Sequence, residues 1–166
     1  MLAVPMKTTM RWLSTSMLVA LMPIWIVLAL GQTSQFDPRS LAPFIPTPLE
    51  VVERMLELGD VGSGDTVYDL GSGDGRIVIT AAQRYGAKAV GVELNADLAK
   101  RTQARIKELY IADRVKVVEG DVMDVDLSEA SVVTLYFLSA SNMKLRPKLE
   151  DNLKPGTRVI SHDFRI

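Results

Sequence analysis

Apolar and polar residues alternate in blocks between residues 49 and 164, and the spacing within each block predicts helices and strands in turn. Apolar side chains at helical spacing predict a first helix over Leu49–Leu58, which ends at Gly59. The apolar run Thr66–Leu70 predicts a strand, and a group of glycines then leads into a second helix over Arg76–Tyr85. The pattern therefore begins as helix, strand, helix.

The same alternation continues to the end of the chain. The further predicted strands are 89–94, 114–119, 131–138 and 157–164, and the further predicted helices are 96–110 and 143–153. Strands that are almost continuously apolar and are separated mostly by helices indicate a parallel sheet covered on both faces. Right-handed crossovers then give an α/β, Rossmann-like doubly wound sheet of five strands, which binds ligands beyond the carboxyl ends of its strands.

Two segments precede this region. Residues 12–31 carry no charge, and they predict a membrane anchor, a cleaved signal segment or a buried helix within residues 1–35. Residues 36–48 contain four prolines and predict an extended lead-in arm. This arm is either a stiff spacer or a cover over the ligand site, where Thr47 would offer its hydroxyl.

Composition narrows the chemistry. The 166 residues suffice for one domain, and the net charge of −1 provides no basic field that would favour nucleic acid as a partner. With no cysteine and a single histidine, the chain has no disulfide, no thiolate nucleophile and no expected metal site. A reaction would therefore depend on a cofactor, carboxylates, amides or hydroxyls.

The sharpest motif is Asp-Leu-Gly-Ser-Gly-Asp-Gly-Arg at residues 69–76, between a predicted strand and a predicted helix. Glycines at alternate positions permit positive φ and allow a ligand to approach the backbone closely. The residues expected to contact that ligand are Asp69, Gly71, Ser72, Gly73 and Gly75.

The spacing of the glycines indicates which cofactor is bound. A dinucleotide fingerprint requires G-x-G-x-x-G, whereas this loop is G-x-G-x-G and follows Asp69. A carboxylate that faces the cleft would repel a pyrophosphate but can accept a hydrogen bond from the amino group of a methionine moiety. We therefore expect S-adenosylmethionine (SAM) rather than a nicotinamide cofactor.

Two more acids end predicted strands. Glu93 lies about 20 residues beyond the glycine loop, where an acid can accept hydrogen bonds from both hydroxyls of a ribose. Asp121 ends the third strand and could accept from the adenine amine, or it could cap the next turn instead.

The fourth strand offers the candidate acceptor site. Tyr136 and Phe137 could line a channel whose π-faces favour an ammonium group, and Tyr136 is the candidate catalytic residue; alternatively, Phe137 belongs to the core. His162 is expected to be a hydrogen-bonded structural residue rather than a proton acceptor.

These motifs, taken in order, resemble the family of small seven-strand (class I) lysine methyltransferases. The matching segments are Pro-Phe-Ile-Pro-Thr-Pro at 43–48, Val-Tyr-Asp-Leu-Gly-Ser-Gly-Asp-Gly-Arg at 67–76, Leu-Tyr-Phe-Leu at 135–138, Lys-Leu-Arg-Pro-Lys-Leu at 144–149 and Leu-Lys-Pro-Gly-Thr-Arg-Val-Ile-Ser-His-Asp-Phe at 153–164. Eukaryotic members of this family modify the ATP synthase c-subunit and the adenine nucleotide translocase. Non-SET histone lysine methyltransferases are more distantly similar.

The resemblance implies a SAM-dependent methyltransferase domain over residues 49–166, with a protein lysine as the acceptor and with residues 46–48 closing over SAM. Members of the family continue into a further hairpin, whereas this chain stops at Ile166. An alternative is therefore a membrane-tethered SAM-binding module with little or no activity. Because SAM is made in the cytoplasm, the domain is expected on the side of the membrane that contains SAM, with residues 12–31 in the membrane.

Overall fold

The computed structural model describes residues 38–166, in which five parallel strands form one sheet. The strands are β1 Thr66–Leu70, β2 Lys88–Glu93, β3 Val115–Glu119, β4 Val132–Leu135 and β5 Arg158–Ser161. The helices are α1 Leu49–Leu58, α2 Arg76–Tyr85, α3 Ala96–Glu108 and α4 Ser139–Asn152.

The strand order is β3-β2-β1-β4-β5, which confirms the predicted doubly wound, Rossmann-like sheet. The chain builds outward from β1 through β2 to β3, then crosses to the other side of β1 for β4 and β5. The order therefore reverses between β1 and β4, and a ligand crevice forms beyond the carboxyl ends of these strands.

The two faces of the sheet have separate cores because successive strand residues point to opposite sides. Val67 packs with buried residues of α1, α2 and α3, whereas its neighbour Tyr68 packs with buried residues of α4 and of the loop before β4. Both faces of β1 are therefore covered, which explains its almost continuous apolar sequence.

The ends of the helices follow from local chemistry. Asn95 caps α3, since its Oδ1 accepts hydrogen bonds from the amides of Asp97 and Leu98, each at 3.0 Å. α2 ends at Gly86, whose left-handed conformation (φ 70°) costs little without a side chain. These ends point α2 and α3 back along the sheet and leave their amino termini near the ligand edge.

The elements after residue 131 differ from their predicted bounds. β4 stops at Leu135 rather than at 138, and α4 begins at Ser139 rather than at 143. The amides of Ser141 and Asn142 donate to the carbonyl oxygen of Leu138, at 2.9 and 3.0 Å, so the helix starts directly after it. Residues 136–138 belong to a connecting segment in which Phe137 is buried and Leu138 is exposed, and periodicity could not separate that segment from a strand.

The predicted lead-in arm forms neither helix nor strand over residues 40–48, as its prolines require. None of the helices within residues 38–166 is long and apolar enough to cross a membrane. The predicted membrane or signal segment, residues 12–31, lies outside the described residues, so membrane association stays a prediction.

Candidate cofactor site

The glycine loop at residues 71–75 is held in place by its neighbours along the edge of the sheet. The amides of Gly71 and Ser72 both donate to the carbonyl oxygen of Val92 at 2.9 Å, which ties the loop to the end of β2. The buried hydroxyl of Thr102 on α3 donates to the carbonyl oxygen of Gly73 at 3.0 Å. These hydrogen bonds fix the path of the loop.

All three glycines of the loop have positive φ, at 78° for Gly71, 54° for Gly73 and 75° for Gly75. At Gly73 the requirement is also steric, because a Cβ there would collide with the ring of Phe44 from the arm. A Cβ at Gly71 would come within 2.9 Å of the ring of Phe137. The loop thus lies between two aromatic rings, and bare backbone is what fits there.

Ser72 points away from the expected cofactor surface. Its hydroxyl lies 2.6 Å from the position that a Cβ on Gly91 of β2 would occupy, and it is buried without a hydrogen-bond partner in the described part of the chain. Its amide is used by Val92, as described above. Ser72 therefore packs the loop onto the sheet, and a direct contact with the cofactor stays a prediction.

Asp69 is buried in β1, with 4% of its surface exposed, rather than lying open in the cleft as its position in the sequence suggested. Its Oδ1 accepts a hydrogen bond from the hydroxyl of Thr134 on β4 at 2.8 Å. Burial raises the pKa of Asp69 to about 7, and the charges of Glu93 and Asp74 add to this, although the hydrogen bond from Thr134 opposes it. A cation close to this carboxyl group would favour its ionised form.

Glu93 links the loop to the end of β2. Its Oε2 accepts from the amide of Gly73 at 2.7 Å, and its Oε1 accepts from the amide of Asn95 at 2.8 Å. Each carboxylate oxygen can accept a second hydrogen bond, so Glu93 is fixed in orientation and can still bind both hydroxyls of a ribose. This geometry fits the role predicted from its spacing.

Asp121 lies just past β3 and is half-buried. Its Oδ1 accepts a hydrogen bond from the amide of Met123 at 2.9 Å, so Asp121 caps the following turn, which is the alternative raised from the sequence. Gly120 beside it donates to the carbonyl oxygen of Glu93 at 2.9 Å, which keeps Asp121 at the same edge of the sheet as Glu93. A contact with adenine through the other oxygen stays a prediction.

The proline-rich arm crosses this edge and is attached at several points. Near its start, the carbonyl oxygen of Leu41 accepts from the hydroxyl of Ser141 on α4 at 2.6 Å. In its middle, the ring of Phe44 lies against Gly73. Near its end, the carbonyl oxygen of buried Thr47 accepts from Nη1 of Arg76 at 2.6 Å. These contacts support the interpretation of the arm as a cover over the loop.

Arg76 was not among the predicted site residues, although it proves to be the link between arm and loop. Its guanidinium pairs with Asp74 through two hydrogen bonds, from Nε at 2.9 Å and from Nη2 at 2.6 Å. This pairing with Arg76 holds the pKa of Asp74 below its ordinary value. The sequence signal was an acid and an arginine two residues apart beside the last glycine.

Thr134 was also missed by the sequence analysis. It is fully buried on β4 and lies opposite Asp69 in the strand register, with the hydrogen bond described above. A lone threonine among Val132, Val133 and Leu135 was the available signal, because a polar residue in a buried strand needs a partner.

The predicted aromatic pair separates in the structure. Phe137 is buried against Gly71 and belongs to the core, which is the alternative raised from the sequence. Tyr136 is half-buried and contacts the rings of His162 and Phe164 instead. A catalytic role for Tyr136 stays a prediction.

The donors and acceptors at this edge fit SAM. The carboxyl groups of Asp69, Glu93 and Asp121 lie near this edge of the sheet, and carboxylates accept hydrogen bonds from ammonium, hydroxyl and amine groups such as those of SAM but repel a pyrophosphate. The bare backbone of the glycine loop leaves room for a ligand to lie against it. No group of three or more potential metal ligands occurs within residues 38–166.

Comparisons with known proteins point to the same cofactor. A protein-lysine N-methyltransferase from Saccharolobus islandicus is 51% identical over 125 residues, which cover 75% of this chain and 78% of that relative. The human lysine N-methyltransferase of the ATP synthase c-subunit is 34% identical over 122 residues, 74% of this chain, and the chain spans about half (52%) of that relative. A crystal structure of an RNA methyltransferase from Salinibacter ruber with S-adenosyl-L-homocysteine matches with a TM-score of 0.72 and 55% identity, covering 73% of this chain and 79% of that one.

The family described as the ANTKMT methyltransferase domain matches residues 69–166, which is more than half of the chain. The match begins at Asp69 and runs through the loop, Glu93 and Asp121 to the last residue. The chain therefore belongs to the ANTKMT family of methyltransferases, and its cofactor is SAM.

Proposed function

We propose that this protein transfers a methyl group from SAM to the ε-amino group of a lysine in another protein. The observation that carries the proposal is the 51% identity to a protein-lysine N-methyltransferase, over 78% of that relative's length. The chemistry of the site agrees with it, since methyl transfer needs positioning and an unprotonated nucleophile rather than a catalytic triad.

When bound, SAM supplies an electrophilic methyl group on a positively charged sulfur. The transfer would exchange one proton of the lysine ammonium, released to solvent, for that methyl group, and S-adenosylhomocysteine would leave with the electron pair of the broken carbon–sulfur bond.

The protein's own part is to bind and orient. We propose that Asp69 accepts from the amino group of the methionine moiety, that Glu93 accepts from the ribose and that Asp121 accepts from adenine. The arm over the glycine loop would exclude water from the reacting carbon, because Phe44 and Thr47 cover one side of the loop. Tyr136 would line the approach of the acceptor.

RNA is the second candidate acceptor, because the matched structure at 55% identity is described as an RNA methyltransferase. The charge of this chain argues against it. With 19 basic and 20 acidic residues, it lacks the excess of lysine and arginine that neutralises phosphates in most RNA-binding domains.

An experiment with radiolabelled SAM separates the two acceptors. The purified full chain is incubated with labelled SAM and a cell extract, which is then divided and digested with protease or with ribonuclease. We expect the label in protein, as methyllysine on amino-acid analysis, and its loss with Glu93→Ala but not with the surface variant Glu129→Ala. Label that is removed by ribonuclease would replace the lysine proposal with RNA methylation.

The same experiment tests the inactive-module alternative. The relatives named above are all enzymes, which gives that alternative no support. Calorimetric titration of SAM that shows binding, combined with no transfer of label to any fraction, would revive it. Loss of SAM binding in Asp69→Ala and Glu93→Ala would confirm the proposed cofactor contacts.

A further inference from the structure

After β5 the chain forms a tight turn over residues 161–165. Hydrogen bonds from the side chain of Asn142 on α4 hold this turn in place. The side-chain amide of Asn142 donates to the carbonyl oxygen of Arg165 at 3.1 Å, to that of Phe164 at 3.3 Å and to the hydroxyl of Ser161 at 3.4 Å. The hydroxyl of Ser161 donates to the same Phe164 carbonyl. One buried amide therefore organises the whole turn.

The burial of Asn142 lowers the stability of the fold, because one polar atom of its side chain lacks a partner within residues 38–166. Its side chain is fully buried, and its Oδ1 accepts no hydrogen bond within the described residues. A leucine of similar size would avoid that unsatisfied oxygen. Rotating the amide would turn the oxygen toward three other oxygens, so the observed orientation follows from the turn that the amide holds.

The turn itself is strained at one position. Asp163 has a φ of 60°, in the left-handed region that a residue with a side chain rarely adopts. The amide of Phe164 donates back to the carbonyl oxygen of His162 at 2.8 Å, which tightens the backbone further. Strain of this kind persists only where surrounding contacts impose it, and Asn142 supplies those contacts.

The consequence of the turn is a cluster of three rings. The ring of His162 lies 4.3 Å from that of Tyr136, centre to centre, at an interplanar angle of 46°. The ring of Phe164 is stacked on Tyr136 at 6.2 Å and 20°. The side chain of His162 is 18% exposed, and Tyr136 and Phe164 are also half-buried, so the cluster lies at the surface of the core rather than within it.

This aromatic cluster, Tyr136, His162 and Phe164, lies beside the cofactor loop. Tyr136 precedes Phe137, whose ring contacts Gly71 of the loop, and β4 pairs directly with β1. The carboxyl ends of β4 and β5 therefore bring the rings to the same edge of the sheet as the carboxylates that fit SAM.

We propose that the aromatic cluster is the receptor for the aminoalkyl side chain of the acceptor, and that Asn142 is the positioning residue that holds two of its rings against Tyr136. The proposal rests on the lysine methyltransferase function proposed above. Aromatic faces attract ammonium groups and also pack against a methylene chain. The carboxylate of Asp163, whose Oδ1 lies 3.4 Å from Nδ1 of His162, adds negative charge beside the rings.

The single histidine of the chain makes the proposal directly testable by nuclear magnetic resonance. The untagged full chain is saturated with S-adenosylhomocysteine, and n-butylammonium is titrated in as a mimic of the lysine side chain, with n-butanol as the uncharged control. We expect the ring signals of His162 and Tyr136 to shift with n-butylammonium and to shift little with n-butanol. Identical responses to both compounds, or none, would overturn the receptor.

Substitutions separate positioning from direct contact. Tyr136→Leu or Phe164→Leu should weaken n-butylammonium binding about 2- to 30-fold, the range expected for loss of one cation–π contact. Asn142→Ala should weaken it similarly and should change the His162 ring signal even without ligand, because the turn relaxes. Asn152→Ala, at the far end of the same helix, is the matched control and should change neither.

Affinity for S-adenosylhomocysteine must be unchanged in each of these variants, which also shows that they are folded. If the lysine methyltransferase proposal fails while n-butylammonium still shifts the rings, the receptor stands and serves another amine. If lysine methylation is confirmed but these variants have the same KM for the protein acceptor as the unmodified protein, the receptor is wrong and the proposed function stands.

Discussion

At the scale of single residues, two kinds of position shape the site. At one kind no side chain fits, and at the other an ionisable side chain is buried. Gly73 must remain without a side chain because of its positive φ and the ring of Phe44. Asp69 is buried, and within residues 38–166 the hydroxyl of Thr134 is what donates to its carboxyl group. Both features are imposed by contacts from residues that are distant in the sequence.

Gly73→Ala should weaken SAM binding and destabilise the fold. An alanine in the left-handed region costs ~1–2 kcal/mol, and its Cβ would also displace Phe44 from the loop. Calorimetric titration of SAM and urea denaturation measure the two effects. Gly64→Ala is the control, because no atom lies within 4 Å of a Cβ at Gly64, and its effect should be close to zero.

Asp69 should make the free protein less stable as pH rises toward neutrality. Its pKa is raised from 3.8 to about 7, so the folded protein retains a proton that the unfolded chain releases over that interval. The free energy of unfolding is highest below the unfolded pKa, falls as pH rises and levels off above pH 7, with a total loss of ~4 kcal/mol at most. Asp69→Asn should remove this slope in urea denaturation.

A parallel pH dependence in the wild type and in Asp69→Asn would show that the carboxyl group is not responsible. The proposed contact between Asp69 and the SAM ammonium would favour the ionised carboxylate, so binding near pH 7 should also release a proton. Calorimetry in buffers of different ionisation enthalpy detects that release, and Asp69→Asn should lose it.

At the scale of elements, the arm, the glycine loop and α2 act as one unit through Arg76. The guanidinium reaches the carbonyl oxygen of Thr47 on one side and the carboxylate of Asp74 on the other. Residues 40–48 of the arm form neither helix nor strand, so their position depends on such side-chain contacts. The position of the arm over the glycine loop is therefore set at the start of α2.

Arg76→Ala should release the end of the arm. Its hydrogen bonds are partly exposed to solvent, so we expect a loss of ~1 kcal/mol, roughly a fivefold weaker affinity for SAM. Cleavage within residues 41–47 by a protease at low concentration should become faster in the variant. Arg84→Ala provides a control on the same helix, since its partner Glu53 belongs to α1 rather than to the arm, and unchanged cleavage in both variants would refute the link.

At the scale of the whole molecule, Arg158 joins β5 to the loop between α1 and β1. Its Nη1 donates to the carbonyl oxygens of Gly59 at 2.6 Å and Asp60 at 2.8 Å, and its Nη2 pairs with Asp65. Asp65 also accepts from the hydroxyl of Ser131 at 2.7 Å. The network ties the edge strand to the centre of the sheet across more than 90 residues of sequence.

Arg158→Met should reduce the free energy of unfolding by ~2 kcal/mol, because a partly buried carboxylate and two carbonyl groups lose their donor. Equilibrium urea denaturation at neutral pH measures this loss. Lys154→Ala removes an exposed pair with Glu129 and should have almost no effect. Equal losses in both variants would mean that the network contributes no more than a surface ion pair.

Acid should remove part of the same contribution. Burial is the largest single influence on the pKa of Asp65 and raises it, but hydrogen bonds from Ser131 and Gly62 and the charge of Arg158 together bring it below 3.8. The stabilisation is therefore present above pH 3.8 and is lost as pH falls through the lower pKa of the folded state. Asp65→Asn should show a flatter loss of stability in this acidic range.

Several features could be predicted from the sequence because they depend on neighbours along the chain. The bounds of β1, α1 and α2 follow from hydrophobic period and from glycine at the ends, and the predicted limits match those of the structure. Spacing between glycines and acids, together with the resemblance to a known family, was enough to predict SAM. Alternation of strands and helices was enough to predict the parallel sheet.

The positions of two segments, residues 136–138 and 161–164, could be found only from the tertiary structure. Their apolar and aromatic character fits a strand, and the hydrogen bonds from Asn142 and the left-handed Asp163 end β5 early. The sequence also could not predict the roles of Thr134, Arg76 and Asn142, because each depends on a partner that the fold brings close. The hydrophobic period of the sequence predicts whether a residue faces the core or the solvent. Its hydrogen-bond partner on a distant element is fixed only once the chain has folded.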